Sequence, residues 1–290
     1  MQHLKHTITA FLLTTILAST QLSAQKLYAP LSNPDWTKER QPFRIAGNLY
    51  YVGTFDLGIY LITTPKGHIL INTGVPGSET AIRKHIEALG FKVSDIKILL
   101  TTQAHFDHVG AMAAMKRITG AQLMVHERDA PLLADGGNSD FDMGGKGPMF
   151  QPVKVDRLLH NGETVSLGNM QITVLHHPGH TKGSCSYLFT VKDEKRSYRV
   201  LIANMPSILD DTKFPGMPTY PEVGKDYAHT LDTMPKVQFD LFLASHAGQF
   251  DLDKKYKPGS GYHPEVFMDR PGYLAAIEDL HKAYLKRIGK

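Results

Sequence analysis

The stretch "IKILLTTQAHFDHVG", residues 96–110, decides how the chain is read. Its first part, Ile96 to Leu100, is apolar apart from Lys97, the pattern of a strand buried in a sheet. Its second part places two imidazoles and a carboxylate, His105, Asp107 and His108, within four residues. Asp107 and His108 are adjacent, so in a regular strand their side chains would face opposite ways. A tight turn directly after the strand is needed to aim both at one point. Gln103 stands two places before His105.

The same arrangement recurs downstream. "ITVLHHPGHT", residues 172–181, reads as a strand followed by a Pro178-Gly179 bend that exposes His180. "FDLFLASHA", residues 239–247, reads as a strand ending at His246. In a layered fold the ends of such strands gather along one edge. Four histidines and Asp107 at one edge make a metal site a more economical reading than coincidence, and imidazole with carboxylate oxygen, without cysteine, suits zinc. The chain holds 15 histidines, so some cluster by chance. His68, His85, His126, His229 and His281 read as ordinary surface or helix residues. His176 and His177, within a strand, read as packing or hydrogen-bonding groups.

The flanking sequence supplies the layers. "FRIAGNLYYVG" (43–53) and "IYLITTPKGHILINTG" (59–74) alternate apolar and polar residues about a Pro-Lys-Gly turn, a strand meander. "SETAIRKHIEALG" (78–90) switches to a helical period, with Ile82, Ile86 and Leu89 on one face, Ser78 as N-cap and Gly90 as the stop. "VGAMAAMKRITG" (109–120) is a further helix and "AQLMVH" (121–126) a strand. The second half repeats the rhythm. Two strands lie in 163–180, a hairpin with a charged turn in 184–205, and a C-terminal helix runs from about Pro271 to Arg287. The expectation is an α+β fold of two packed β-sheets with helices outside. The glycine-rich stretch "DGGNSDFDMGGKGPMF" (135–150) is too polar for core and is either an exposed loop or a mobile flap beside a site.

Residues 1–24 are set aside. A basic start at Lys5, an apolar run from Ile8 to Ala18 and "LSA" before Gln25 read as a secretory signal peptide. The run is short of the about 20 residues of a membrane span, so no stable membrane insertion is expected after its removal. Residues 25–290 are then one exported, periplasmic domain, expected to be a monomer. The net charge of +4 falls to +3 without Lys5, and basic residues are interleaved with acids, as in "KDEKRSYR"; nucleic-acid binding is not expected. The one cysteine, Cys185, permits no internal disulfide and reads as a small buried strand residue rather than a nucleophile.

"QAHFDHVG", "HHPGHTKGS" and "ASHAGQFDL" together resemble the metallo-β-lactamase superfamily, and within it the third subclass of zinc β-lactamases, the branch with glutamine in place of the first histidine. The resemblance runs over nearly all of residues 25–290. It implies an αββα sandwich with two metal positions at the sheet edge: Gln103, His105 and His180 about a first zinc, and Asp107, His108 and His246 about a second. A neutral amide oxygen is a weaker zinc ligand than imidazole, so the second site is expected to be the tighter. Two further departures stand out. Met205 occupies the place where many superfamily hydrolases carry a bridging aspartate, and is read as packing beneath the site. Asn72 stands in "INTG" where "DTG" is usual, and is expected to hydrogen bond to Asp107 or to the turn.

The activity implied is zinc-dependent hydrolysis of the β-lactam amide of penicillins, cephalosporins and carbapenems, and so antibiotic resistance. Asp107 would hold the attacking water as well as the second metal. Ser207 would bind the substrate carboxylate, although a turn cap after Pro206 explains it equally. The alternatives are another zinc hydrolase of the same fold, such as a lactonase, and a periplasmic zinc-binding protein without catalysis.

Overall fold

The computed structural model describes residues 26–290; the signal-peptide reading lies outside the described residues. Two mixed sheets form the centre. The first has seven strands in sequence order: β1 (Phe43–Ala46), β2 (Leu49–Tyr51), β3 (Tyr60–Thr64), β4 (Gly67–Ile71), β5 (Ile96–Leu100), β6 (Gln122–His126) and β7 (Arg157–Leu159). The first four are antiparallel neighbours, and the pairs β4–β5, β5–β6 and β6–β7 are parallel. The second sheet comprises β8 (Thr164–Leu167), β9 (Met170–His176), β10 (Cys185–Lys192), β11 (Ser197–Ala203) and β12 (Leu241–Ala244), in the order β12-β11-β10-β9-β8. Only β11–β12 is parallel.

The helices are α1 (Glu79–Ala88), α2 (Phe106–Val109), α3 (Met112–Thr119), α4 (Ala130–Asp135), α5 (Val223–Thr233), α6 (Leu252–Lys255) and α7 (Arg270–Arg287). Strand alternation divides the apolar residues between two cores. On β3 and β4, Tyr60, Ile62, Ile69 and Ile71 join a cluster with Ile172, Val174, Tyr187 and Phe189 of the second sheet. Their neighbours Leu61 and Leu70 point the other way, into a cluster with Ile82 and Ile86 of α1 and Met112 and Met115 of α3. Tyr227 of α5 and Tyr273 and Ile277 of α7 join the first cluster beside the strands of the second sheet. This is the αββα sandwich expected from the sequence.

Some local readings need correction. Ser78 stands at the N-cap of α1, but its side chain makes no cap hydrogen bond. Leu89 is only half-buried, and His85 takes its place on the buried face, its Nδ1 2.9 Å from the Val52 carbonyl. His68 and His126 are also buried rather than superficial. The helix read over 109–120 is broken: Gly110 and Ala111 separate α2 from α3. At Gly110 a Cβ would lie 2.2 Å from Pro76 N and 2.3 Å from Val75 C, so only glycine lets α2 press this closely on the loop after β4. The glycine-rich stretch is no mere surface loop, because it buries Asp140, Phe141, Met149 and Phe150.

Candidate metal centre

The two sheets are stitched at the edge where β5, β10 and β12 meet. Cys185 N donates to the Thr102 carbonyl at 2.8 Å, Tyr187 Oη to the Thr101 carbonyl at 2.7 Å and Ser245 Oγ to Thr102 Oγ1 at 2.9 Å. Beyond that seam the chain leaves β5 and turns at once. His105 has extended backbone (φ −83°, ψ 153°) and caps α2, a single helical turn closed by His108 N to the His105 carbonyl at 2.9 Å. That turn is the device the sequence called for, since it aims neighbouring Asp107 and His108 the same way. Thr73 N anchors it by donating to the His108 carbonyl at 2.7 Å.

Asp107, His108 and His246 converge. Asp107 Oδ2 lies 3.3 Å from His108 Nε2 and 3.4 Å from His246 Nε2, and the two nitrogens are 3.2 Å apart. One ligand atom from each of these residues lies within 4.8 Å of the others, an arrangement that could hold a metal ion. His246 follows β12, and its far nitrogen is pinned: Nδ1 lies 2.9 Å from Asp56 Oδ2. Asp56 is itself held by Trp36 Nε1 (3.2 Å) and Gly248 N (3.3 Å). Such carboxylate-backed imidazoles are typical of metal ligands. Burial opposes the charged form of His246, but hydrogen bonds and charge from Asp107 and Asp56 outweigh it and push its pKa up to about 9. Burial likewise opposes ionisation of Asp107, yet His108 and His246 hold its carboxyl well below the usual range. His108 goes the other way, its burial favouring the neutral ring that a metal requires.

His105 and His180 form a neighbouring pair, and Gln103 stands two residues before His105. The rings of His105 and His180 meet edge to face with centroids 4.8 Å apart. His105 Nε2 lies 3.2 Å from Asp140 Oδ2, which leaves Nδ1 for another partner. Burial disfavours the Asp140 carboxylate, but His105 and the N–H groups of Met143 and Asp142 bring its pKa to about 2. His180 Nδ1 donates to the Ser207 carbonyl at 2.7 Å, a carbonyl that also accepts from Tyr227 Oη at 2.8 Å, so His180 Nε2 is the free nitrogen. Burial and the neighbouring His105 depress the His180 pKa to about 3. Gln103 is buried, and its Oε1 has no hydrogen-bond partner. An orphaned buried amide oxygen is costly unless something accepts its lone pairs, and a cation fits that need.

The remaining sequence readings resolve individually. Met205 is buried in the core, as expected. Asn72 bonds to the turn and not to Asp107: its Oδ1 accepts from Thr102 N at 2.9 Å and its Nδ2 donates to the Gly58 carbonyl at 3.0 Å. His177 Nδ1 lies 2.7 Å from Ser186 Oγ and His176 Nε2 2.9 Å from the Lys182 carbonyl, so both are hydrogen-bonding groups as expected. Cys185 is buried, and burial pushes its thiol up to about 12, too high for a nucleophile. Sequence reasoning missed Asp56 and Asp140. Asp56 lies in the turn "TFDLG" after β2, and Asp140 in the glycine-rich stretch suspected of flanking the site.

The profile of the metallo-beta-lactamase superfamily matches residues 59–193, which include Gln103 through His180. A β-lactamase from Chitinophaga pinensis superposes with a TM-score of 0.89 at 61% identity, covering 92% of this chain and 99% of that one. This chain belongs to the metallo-β-lactamase superfamily. Other solved members are similar to it. The class B3 di-zinc metallo-β-lactamase LRA-12 from an Alaskan soil metagenome is 56% identical, with 90% of this chain and 99% of that chain covered and a TM-score of 0.89. The metallo-β-lactamase GOB-18 from Elizabethkingia meningoseptica is 52% identical over 92% and 99%, with a TM-score of 0.90. Among curated relatives the first matches are shorter, spanning 60% and 61% of the relatives' own length.

Proposed function

We propose that this metallo-β-lactamase hydrolyses the amide bond of penicillins, cephalosporins and carbapenems with zinc held at the sheet edge. The observation that carries the reading is the convergence of Asp107, His108 and His246, with the outer nitrogen of His246 fixed by Asp56. The similarity to a class B3 di-zinc enzyme supports it, and favours neither the lactonase nor the non-catalytic alternative. Zinc bound there would supply Lewis acidity toward the lactam carbonyl and toward water.

The second position is assigned to Asp107, His108 and His246 through Nε2. The first is assigned to Gln103 through its orphaned Oε1, His105 through Nδ1 and His180 through Nε2. Two ions are taken to bind, the second position the more tightly. Asp107, ionised at neutral pH, has a second role: it accepts a hydrogen bond from the attacking water and orients it. The half-buried Ser207 hydroxyl is the proposed donor to the substrate carboxylate, while its backbone carbonyl fixes His180. No protein nucleophile takes part. Residues 1–24 support export to the periplasm, where the enzyme would act as a monomer. No helix among the described residues is long and apolar enough to cross a membrane.

The test is a zinc titration of metal-free protein while following carbapenem and cephalosporin hydrolysis. Activity should rise with zinc and vanish on chelation. Undiminished hydrolysis after verified zinc removal, or zinc binding without turnover of any β-lactam, overturns the reading.

A further inference from the structure

Asp129 lies three residues beyond the end of β6, 1% exposed, and no lysine or arginine pairs with it among the described residues. It occupies the N-cap of α4, yet its side chain does not cap that helix. Both carboxylate oxygens are committed elsewhere. Oδ2 accepts from Ala104 N at 2.9 Å and from Thr181 Oγ1 at 2.7 Å, and Oδ1 accepts from Gly183 N at 2.7 Å. Ala104 stands between Gln103 and His105, and Thr181 directly follows His180. One buried carboxylate thus joins the segment leaving the first sheet to the β9–β10 loop of the second.

The loop is built for this approach. A Cβ on Gly183 would lie 2.5 Å from Asp129 N and 2.8 Å from Asp129 Cβ and Cγ, so a side chain there would displace the carboxylate. A carboxylate is also the group that suits three converging donors. The amide of asparagine would turn one of its two heteroatoms into a donor facing a donor. Burial pushes the Asp129 pKa up, and the hydrogen bonds from Thr181, Gly183 and Ala104 act against that rise.

We propose that Asp129 is a positioning residue for the first metal site: it holds Gln103, His105 and His180 in one register and places a negative charge behind a donor set that has none of its own. The inference rests on the assignment of those three residues to the first zinc. The second position includes the carboxylate of Asp107, whereas at the first a divalent ion meets only an amide oxygen and two neutral imidazoles. Asp140, bonded to His105, supplies one nearby charge, and Asp129 supplies another through the backbone on both sides.

Chelator competition with zinc alone, on the full protein, tests this. The parent should bind two zinc ions. Asp129→Asn should weaken the first about 10- to 100-fold, the range for loss of a group that supports a metal ligand, and leave the second near its parental affinity. Hydrolysis should recover toward the parental rate at excess zinc, a rescue that a merely structural defect would not show. Thr181→Val, which removes one of the three donors, should shift the first site in the same direction by less. Parental first-site affinity in Asp129→Asn, or equal loss at both sites, overturns the proposal. Should Asp129→Asn fail to fold, parental first-site affinity in Thr181→Val overturns it. A parent that hydrolyses β-lactams with zinc at the second position only overturns the first-site assignment and this inference together. A parent with two zinc ions and unaffected variants overturns this inference alone.

Discussion

The two halves of the proposed metal centre are built on different plans. At Asp107, His108 and His246 the donor atoms already stand 3.2–3.4 Å apart, one of them is a carboxylate oxygen, and Asp56 locks the outermost ring. At Gln103, His105 and His180 the proposed donors include no carboxylate, and order is imposed from outside by Asp140 and the Ser207 carbonyl. One half carries its charge in the donor set and the other borrows it from the surroundings. Zinc should therefore leave the Gln103 half first as free metal falls.

The largest break in this comparison should come from Asp107→Ala, which removes the only carboxylate of the proposed donor set and the proposed acceptor for the attacking water. Turnover should drop about 10²- to 10⁴-fold, as for loss of a positioned proton acceptor, and zinc content should fall at the second position. Parental turnover and zinc content, by metal analysis and steady-state kinetics, would remove Asp107 from the centre. Asp56→Asn should act more mildly. The His246 ring keeps a neighbour but loses its carboxylate, so zinc affinity at the second position should weaken about 10- to 100-fold with the first unchanged. Equal losses at both positions would mean that the two halves are not separate constructions.

Much of this contrast was legible in the sequence, because each part of it is local. The apolar run Ile96–Leu100, the turn it enters and the strand ends before His180 and His246 are read within a few residues. Supporting groups are different, since Asp56 is 190 residues from His246 and Asp140 is 35 from His105. Nothing in "TFDLG" or "NSDFDM" signals a partner that only the closed sandwich brings near. His126 misled for the same reason. A lone histidine at a strand end looks superficial, yet the ends of β6 and β9 meet, and its ring stacks on His176 with centroids 4.0 Å apart. In 135–150 an average over glycine and polar residues hid Phe141, Met149 and Phe150, which carry the burial.

Substitution at Gln103 sharpens the comparison with a smaller effect. Gln103→His replaces an amide oxygen by the better donor imidazole and should raise zinc occupancy of the first half at low free zinc. Activity need not rise, because the site is buried and a ring may disturb its packing. Gln103→Ala should lower first-half occupancy and leave the other half filled. Chelator competition that finds neither change would show that Gln103 is not a ligand.

The smallest effect is on pH dependence. In metal-free protein the His246 pKa is raised from 6.5 to about 9. Its charge interactions with Asp107 and Asp56 therefore contribute stability that is fully present below pH 6.5 and is lost as pH rises through about 9. Zinc requires the neutral ring, so its affinity for the second position should climb over that same interval. Thermal midpoints of chelated protein should fall modestly across it. A flat profile would mean that His246 is not charged at neutral pH.

Trp36 gives this half of the molecule an optical signature. Its indole Nε1 donates to Asp56, and its ring centroid lies 6.4 Å from that of His246. It is the only tryptophan in the sequence. Tryptophan emission from the protein thus arises from one indole, two hydrogen bonds from the proposed seat of the second ion. Zinc in that seat would replace a charged imidazole beside the emitter with a neutral one. Tryptophan emission should therefore change as zinc fills the proposed second position, separate from any colour change in a substrate.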